Sequence, residues 1–132
     1  DIARHALSQV GMDHLADAQI GKLSGGQQQR VFLARALVQD GEVYLLDEPF
    51  TGVDIPTQEL LIDLFGRLRA AGKTIVYATH DLGHVATTSD RVMLLNRRLI
   101  AEGPPVLAMD RDNLIATFGG QAIVPVMESL AR

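Results

Sequence analysis

Apolar residues recur along this chain in two periods, and the switches between them predict its elements. Ile2, Ala3, Ala6, Leu7 and Val10 fall at helical spacing between Asp1, suited to cap a helix, and Gly11, suited to end one. A short amphipathic helix over 2–10 follows, then a half-turn and loop through "MDHLADAQIG". Val31, Phe32, Leu33, Ala34, Ala36, Leu37 and Val38 predict a second helix over 25–39, apolar nearly all round and therefore buried. "EVYLLDEP" (42–49) is an uninterrupted apolar run of strand length that ends in two carboxylates and a proline, the pattern of a strand buried on both faces.

Asp54 can cap a third helix over 55–70, with Pro56 in its first turn, a stripe of Leu60, Leu61, Leu64, Phe65 and Leu68, and a stop at Gly72. "TIVYATH" (74–80) reads as a second strand, 82–88 as a short helix and "DRVMLLN" (90–96) as a third strand. Asn96 and Arg97 then turn the chain into "RLIAEG", and Pro104 and Pro105 open a last helical region reaching about Phe118. Strands alternating with helices make this an α/β chain with right-handed crossovers and a mostly parallel sheet, whose ligand chemistry belongs at the C-terminal strand edge. Asp47 and Glu48 follow the first strand and His80 and Asp81 the second, so one crevice could gather all four.

Composition narrows the partners. The chain has 132 residues, 47% of them hydrophobic, which suits one globular core or a piece of one, and no run of about 18 apolar residues offers a membrane span. A net charge of −4, without clusters of Lys or Arg, argues against a surface that coats nucleic acid. With no cysteine there is neither a disulfide framework nor a cysteine-based zinc site. The sequence opens inside a helical pattern without a methionine, as a fragment would.

Three short motifs carry candidate chemistry. Ser24, Gly25 and Gly26 precede the second helix, where unpaired N–H groups and the helix dipole favour an anion and bare glycines let it approach. Taken alone, the same triplet is an ordinary serine cap. At the end of the first strand, Asp47 is suited to hold Mg²⁺ through water and Glu48 to orient and deprotonate an attacking water, although an isolated pair of this kind is more often a solvated turn. His80 ends the next strand, where its imidazole can hydrogen-bond a terminal phosphate. His80 and His84 in "HDLGH" resemble a metal pair, but the first sits at a strand end and not on the helix face of the second. His5 and His14 read as surface residues. "AGKT" ends like a phosphate-binding loop, yet Arg67 stands where a glycine is required and the order of helix and strand is reversed, so Lys73 reads as a turn lysine.

In order and spacing, "LSGGQQQR" (23–30), "VYLLDEP" (43–49), "TGVD" (51–54) and "THD" (79–81) together resemble the signature, Walker B, D-loop and switch-histidine motifs of ABC ATPases. The resemblance runs from about residue 1 to about residue 120. It implies the C-terminal part of a RecA-like P-loop NTPase core with the end of the ABC α-helical subdomain: 1–23 closing that subdomain, 24–120 belonging to the core, and 121–132 forming a tail. Ser24, Gly25, Gly26 and Gln27 become signature residues, Asp47 the Mg²⁺-side carboxylate, Glu48 the catalytic base and His80 the γ-phosphate sensor. Asp54 becomes the D-loop aspartate, although "TGVD" departs from the commoner S-A-L-D form.

The family's Walker A loop, adenine-stacking aromatic and Q-loop glutamine lie upstream of its signature, and none is found in this sequence. The resemblance therefore implies a C-terminal half that supplies its signature in trans, to ATP held by the Walker A loop of a second subunit packed head to tail. "DEPFTGVD", "ATHDL" and "VMLLNRRLIAEGPP" look more specifically like the ATPase subunits of manganese, zinc and iron-chelate importers. That likeness implies ATP and Mg²⁺ as cofactors, membrane permease subunits and a substrate-binding protein as partners, no nucleic acid, and a peripheral place on the cytoplasmic face of the membrane. Two other readings remain open: an ABC-type ATPase of DNA repair or chromosome structure, disfavoured by the acidic balance and the absence of long heptad flanks, and a fragment with no nucleotide affinity of its own.

Overall fold

A computed structural model of the chain describes residues 1–120, so the tail expected over 121–132 lies outside the described residues. The chain divides into two compact units, Asp1–Ala78 and Thr79–Arg132.

In the first unit, α1 spans Ile2–Gln9, α2 Gly25–Val38, β1 Val43–Asp47, α3 Ile55–Ala70 and β2 Thr74–Ala78, with single 3₁₀ turns at Asp13–Leu15 and Ile20–Lys22. Each helix starts on a side chain that satisfies first-turn N–H groups otherwise left without partners. The Asp1 carboxylate accepts the Ala3 N–H at 3.0 Å, Ser24 caps α2, and Asp54 caps α3 with Pro56 just inside it. Ala6, Val10, Met12, Leu33, Ala34, Leu61 and Leu64 interlock as one buried cluster, so α1, α2 and α3 share a core. The Arg30 guanidinium reaches from α2 to the end of α1, donating to the Val10 carbonyl at 3.3 Å.

The parallel pairing expected from the α/β pattern is β1 with β2, in register from Val43 opposite Thr74 to Asp47 opposite Ala78. α3 supplies the crossover that two parallel neighbours require. Burial on both faces does not hold: Tyr44 is buried, whereas Val43 and Leu45 are 56% and 77% exposed. Paired residues of a parallel sheet share a face, so Val43, Leu45 and Asp47 lie on one open face with Thr74, Val76 and Ala78. Nor is α2 buried all round, because its core stripe is Leu33 and Ala34 while Phe32 and Val38 are exposed. Both departures have one cause: these segments are apolar on more sides than the described residues cover.

In the second unit, α4 spans Leu82–Thr88, β3 Val92–Leu95, β4 Leu99–Gly103, α5 Pro105–Ala108 and α6 Arg111–Phe118. The third expected strand forms, but it pairs antiparallel with β4. The Asn96 N–H donates to the Arg98 carbonyl at 3.0 Å, and Arg97 takes φ +57°. So short a connection returns the chain alongside itself, whereas a parallel neighbour needs a crossover of about a dozen residues or more. The last helical region is two helices, broken where the Asp110 carboxylate accepts the Asn113 N–H at 2.8 Å and so starts α6 afresh.

Candidate functional site

Ser24 has extended backbone, and its hydroxyl accepts the Gln27 N–H at 3.2 Å while the Gln27 side-chain oxygen accepts the Ser24 N–H at 2.9 Å. This reciprocal capping box fixes the start of α2 and uses the Gln27 carbonyl within the cap. Ser24 and Gly25 are exposed, so the electropositive tip of the helix is open to an anion. Gly26 faces inward: a Cβ there would stand 3.2 Å from the Gly52 carbonyl oxygen. The first turn of α2 thus lies directly against "TGVD", at a distance that a side chain would crowd.

Asp47 occupies the last rung of β1, exposed on the open sheet face. Glu48 turns out of the strand with φ +46°, a left-handed conformation unfavourable for a residue bearing a Cβ. Several bonds hold it there. The Glu48 N–H donates to the Ala78 carbonyl at 2.9 Å, and the Thr51 N–H donates to the Glu48 carbonyl at 3.2 Å. The Thr51 hydroxyl donates to the Glu48 carboxylate at 3.2 Å. From α2, the Gln29 side-chain amide donates to the carbonyls of both Asp47 and Glu48, at 2.8 and 3.1 Å. Pro49 is buried, and Phe50 packs against Phe65 and Tyr77 with ring centroids 5.6 and 5.7 Å away, anchoring the loop to α3 and β2.

Asp54 is the N-cap of α3, its carboxylate accepting the Thr57 N–H at 2.9 Å. Hydrogen bonding from Thr57 holds its pKa below the ordinary aspartate value, with the nearby Arg30 charge adding to the effect. The seven candidates Ser24, Gly25, Gly26, Gln27, Asp47, Glu48 and Asp54 all lie in the first unit, while His80 belongs to the second, exposed beside the Asp81 cap of α4. No group of three His, Asp or Glu side chains able to hold a metal occurs among the described residues. Lys73 is a turn lysine, paired with Asp40 at 2.8 Å, and this hydrogen-bonded pair raises its pKa.

Gln29 and Thr51 lie inside the quoted motifs, but the motif reading gives neither a role. Gln29 is one amide among three successive glutamines, and only the fold shows which of them meets the strand end.

The ABC transporter family model matches residues 1–51, a span that includes both the serine-capped helix and the strand-end carboxylates. The manganese transport system ATP-binding protein MntA of Synechocystis sp. is 50% identical over 119 residues, which cover 90% of this chain and 46% of that protein. The zinc transport system ATP-binding protein TroB of Treponema pallidum is 51% identical over 119 residues, covering 90% of this chain and 45% of the relative. A solved metal-chelate type ABC transporter in an inward-facing conformation superimposes with a TM-score of 0.76 at 30% identity, over 89% of this chain and 47% of that one. The chain spans about half the length of the curated relatives it matches. No helix among the described residues is long and apolar enough to cross a membrane. The family match over residues 1–51, and the relatives and solved fold over about nine-tenths of the chain, agree on what it is similar to: the ATP-binding proteins of ABC transporters.

Proposed function

We propose that the chain is part of an ATP-binding and ATP-hydrolysing subunit that powers an ABC transporter, and that the transporter is an importer of manganese, zinc or chelated iron. One observation carries the reading: a serine-capped, exposed helix tip at Ser24–Gly25 lies in the same compact unit as Asp47 and Glu48 at the C-terminal end of a parallel strand. The first feature binds anions and the second suits metal-assisted hydrolysis, and phosphoryl transfer needs both. The names of the relatives, which describe manganese and zinc transport, favour the metal.

In this reading Ser24, Gly25 and Gly26 meet the γ-phosphate of ATP held by a second subunit arranged head to tail, and Gln27 keeps the tip in shape. The attraction exists only while the terminal phosphate is present, so hydrolysis releases the pair. Glu48 accepts the proton of the attacking water, His80 hydrogen-bonds the γ-phosphate, and Asp54 shapes the D-loop turn that faces the partner. The donor set fits Mg²⁺: an exposed strand-end carboxylate, Asp47, with no three-ligand protein cage among the described residues, matches a cation that keeps its waters and is shared with substrate phosphates. Bound there, Mg²⁺ would neutralise charge on the phosphate oxygens. The ATPase sits peripherally on the cytoplasmic face of the membrane, and integral membrane permease subunits and a substrate-binding protein complete the transporter.

Glu48→Gln in the full-length protein tests the assignment. Turnover should fall by about 10² to 10⁴, while ATP-dependent dimerisation persists, because the amide removes the base and leaves the phosphate clamp intact. Uptake of manganese, zinc and iron chelate, measured in cells carrying that variant, should fail for the true substrate. Unchanged turnover would remove Glu48 from its role, and a full-length protein that drives no metal uptake would remove the transport reading.

A further inference from the structure

We infer that Gln29 is a positioning residue for the catalytic carboxylate, linking the phosphate-facing tip of α2 to the conformation of Glu48; this rests on the hydrolytic reading of Glu48 given above. The Gln29 amide nitrogen donates to the Asp47 carbonyl at 2.8 Å and to the Glu48 carbonyl at 3.1 Å, bridging from α2 to the peptide groups on either side of Glu48 N and Cα. Those two carbonyls flank the φ of Glu48, which is +46°. A non-glycine residue holds such a conformation only when its surroundings impose it, at a cost on the order of 1–3 kcal/mol. Loss of either carbonyl's partner leaves the peptide freer to relax toward ordinary extended backbone, and the carboxylate moves with it.

The second half of the inference is the link to the helix tip. Ser24 and Gln29 are five residues apart on the chain, and the capping box locks the first turn of the helix between them. α2 can therefore act as a stiff lever about one and a half turns long from its phosphate-facing end to its hold on the strand end. The first turn is also wedged against Gly52, in the loop whose Thr51 hydroxyl donates to the Glu48 carboxylate. A displacement of the tip when a phosphate arrives is thus felt at Glu48 from two sides, its backbone through Gln29 and its carboxylate through Thr51.

The test uses the full-length protein assembled in its transporter, with Gln29→Met, which keeps the length without the donor, and Gln29→Lys, which returns a donor at similar reach. Displacement of a reacting group by about an ångström costs up to about 10²-fold in rate, so Gln29→Met should lower kcat about ten-fold or more. The KM for ATP and the unfolding temperature should stay close to wild type, and Gln29→Lys should recover much of the rate. In a Glu48→Gln background the Gln29→Met change should cost nothing further, because the group it positions is no longer a base. A kcat that is unchanged in Gln29→Met, a loss that tracks a fall in unfolding temperature, or a loss that adds in full to that of Glu48→Gln would each overturn the inference. Wild-type turnover in Glu48→Gln alone overturns the base assignment instead, so the two failures are told apart.

Discussion

A Cβ added to Gly26 would stand 3.2 Å from the carbonyl oxygen of Gly52, whereas one added to Gly25 would meet no atom within 4 Å. Adjacent glycines thus have different reasons to be glycine. Gly25 is exposed and its backbone is helical, so Gly25→Ala should raise stability by up to about 1 kcal/mol through helix propensity. Gly26→Ala gains the same propensity but presses on backbone, and overpacking of that kind costs about 1–3 kcal/mol. Chemical denaturation should rank Gly25→Ala above Gly26→Ala. In the full-length protein Gly25→Ala should nonetheless weaken ATP-dependent dimerisation, since its methyl occupies the approach to the helix tip. Equal stabilities for the two variants would mean that the contact with Gly52 is not tight.

Ser24 contributes to the fold as well as to the site. Ser24→Ala removes the hydroxyl acceptor, which is one half of the capping box, and should destabilise by about 1 kcal/mol. Ser24→Asn, which restores an acceptor, should recover most of that stability. If ATP-dependent dimerisation returns along with stability in the asparagine variant, the hydroxyl acts on the nucleotide only through the shape of the tip; if it stays weak, the hydroxyl meets the phosphate itself.

The helices were legible because their signals are local. Asp1, Ser24, Asp54 and Asp81 each sit directly before a periodic run, and each caps the helix that follows. The first parallel strand pair was legible from two apolar runs joined by a helix. What depends on contacts distant in sequence was not. Nothing around "QQQ" marks Gln29 as the residue that reaches Asp47 and Glu48, and nothing in "DEP" announces a left-handed Glu48. Exposure of Leu45 and Phe32 was hidden for a related reason, since composition records how apolar a face is and not whether a neighbour covers it. The break at Asp110 did have a local signal, an acceptor three residues before Asn113, which the apolar positions on either side obscured.

Acid should act on Asp54 with a definite sign. Its folded pKa lies below 3.8 because Thr57 hydrogen-bonds the carboxylate, so its stabilising contribution is complete above 3.8 and disappears as pH falls through the lower, folded value. Unfolding temperatures of wild type and Asp54→Asn, followed from pH about 6 down to about 2, should differ by a constant amount above the ordinary aspartate pKa of about 3.9 and converge below it. A gap that stays constant down to the lowest pH would show that the carboxylate's charge adds nothing to the cap.

Phe50 tests how the fold steadies the loop after Glu48. Its ring lies 5.6 Å from that of Phe65 with the planes at 60°, and 5.7 Å from Tyr77 nearly edge on, geometries that add about 0.5–1.5 kcal/mol per pair beyond burial. Phe50→Ala should therefore destabilise by about 3 kcal/mol, and Phe50→Leu by clearly less, because leucine refills most of the volume without the ring contacts. A double-mutant cycle of Phe50→Ala with Phe65→Ala should show coupling of about 1 kcal/mol, each ring losing part of its value once the other is gone. Phe65 and Phe50 lie in the same aromatic cluster, but only Phe50 is within two residues of Glu48. In the full-length protein Phe50→Ala should consequently reduce kcat more than Phe65→Ala at matched loss of stability. Equal effects on kcat would mean that the loop is held by Pro49, Thr51 and Gln29, with the aromatic cluster serving stability alone.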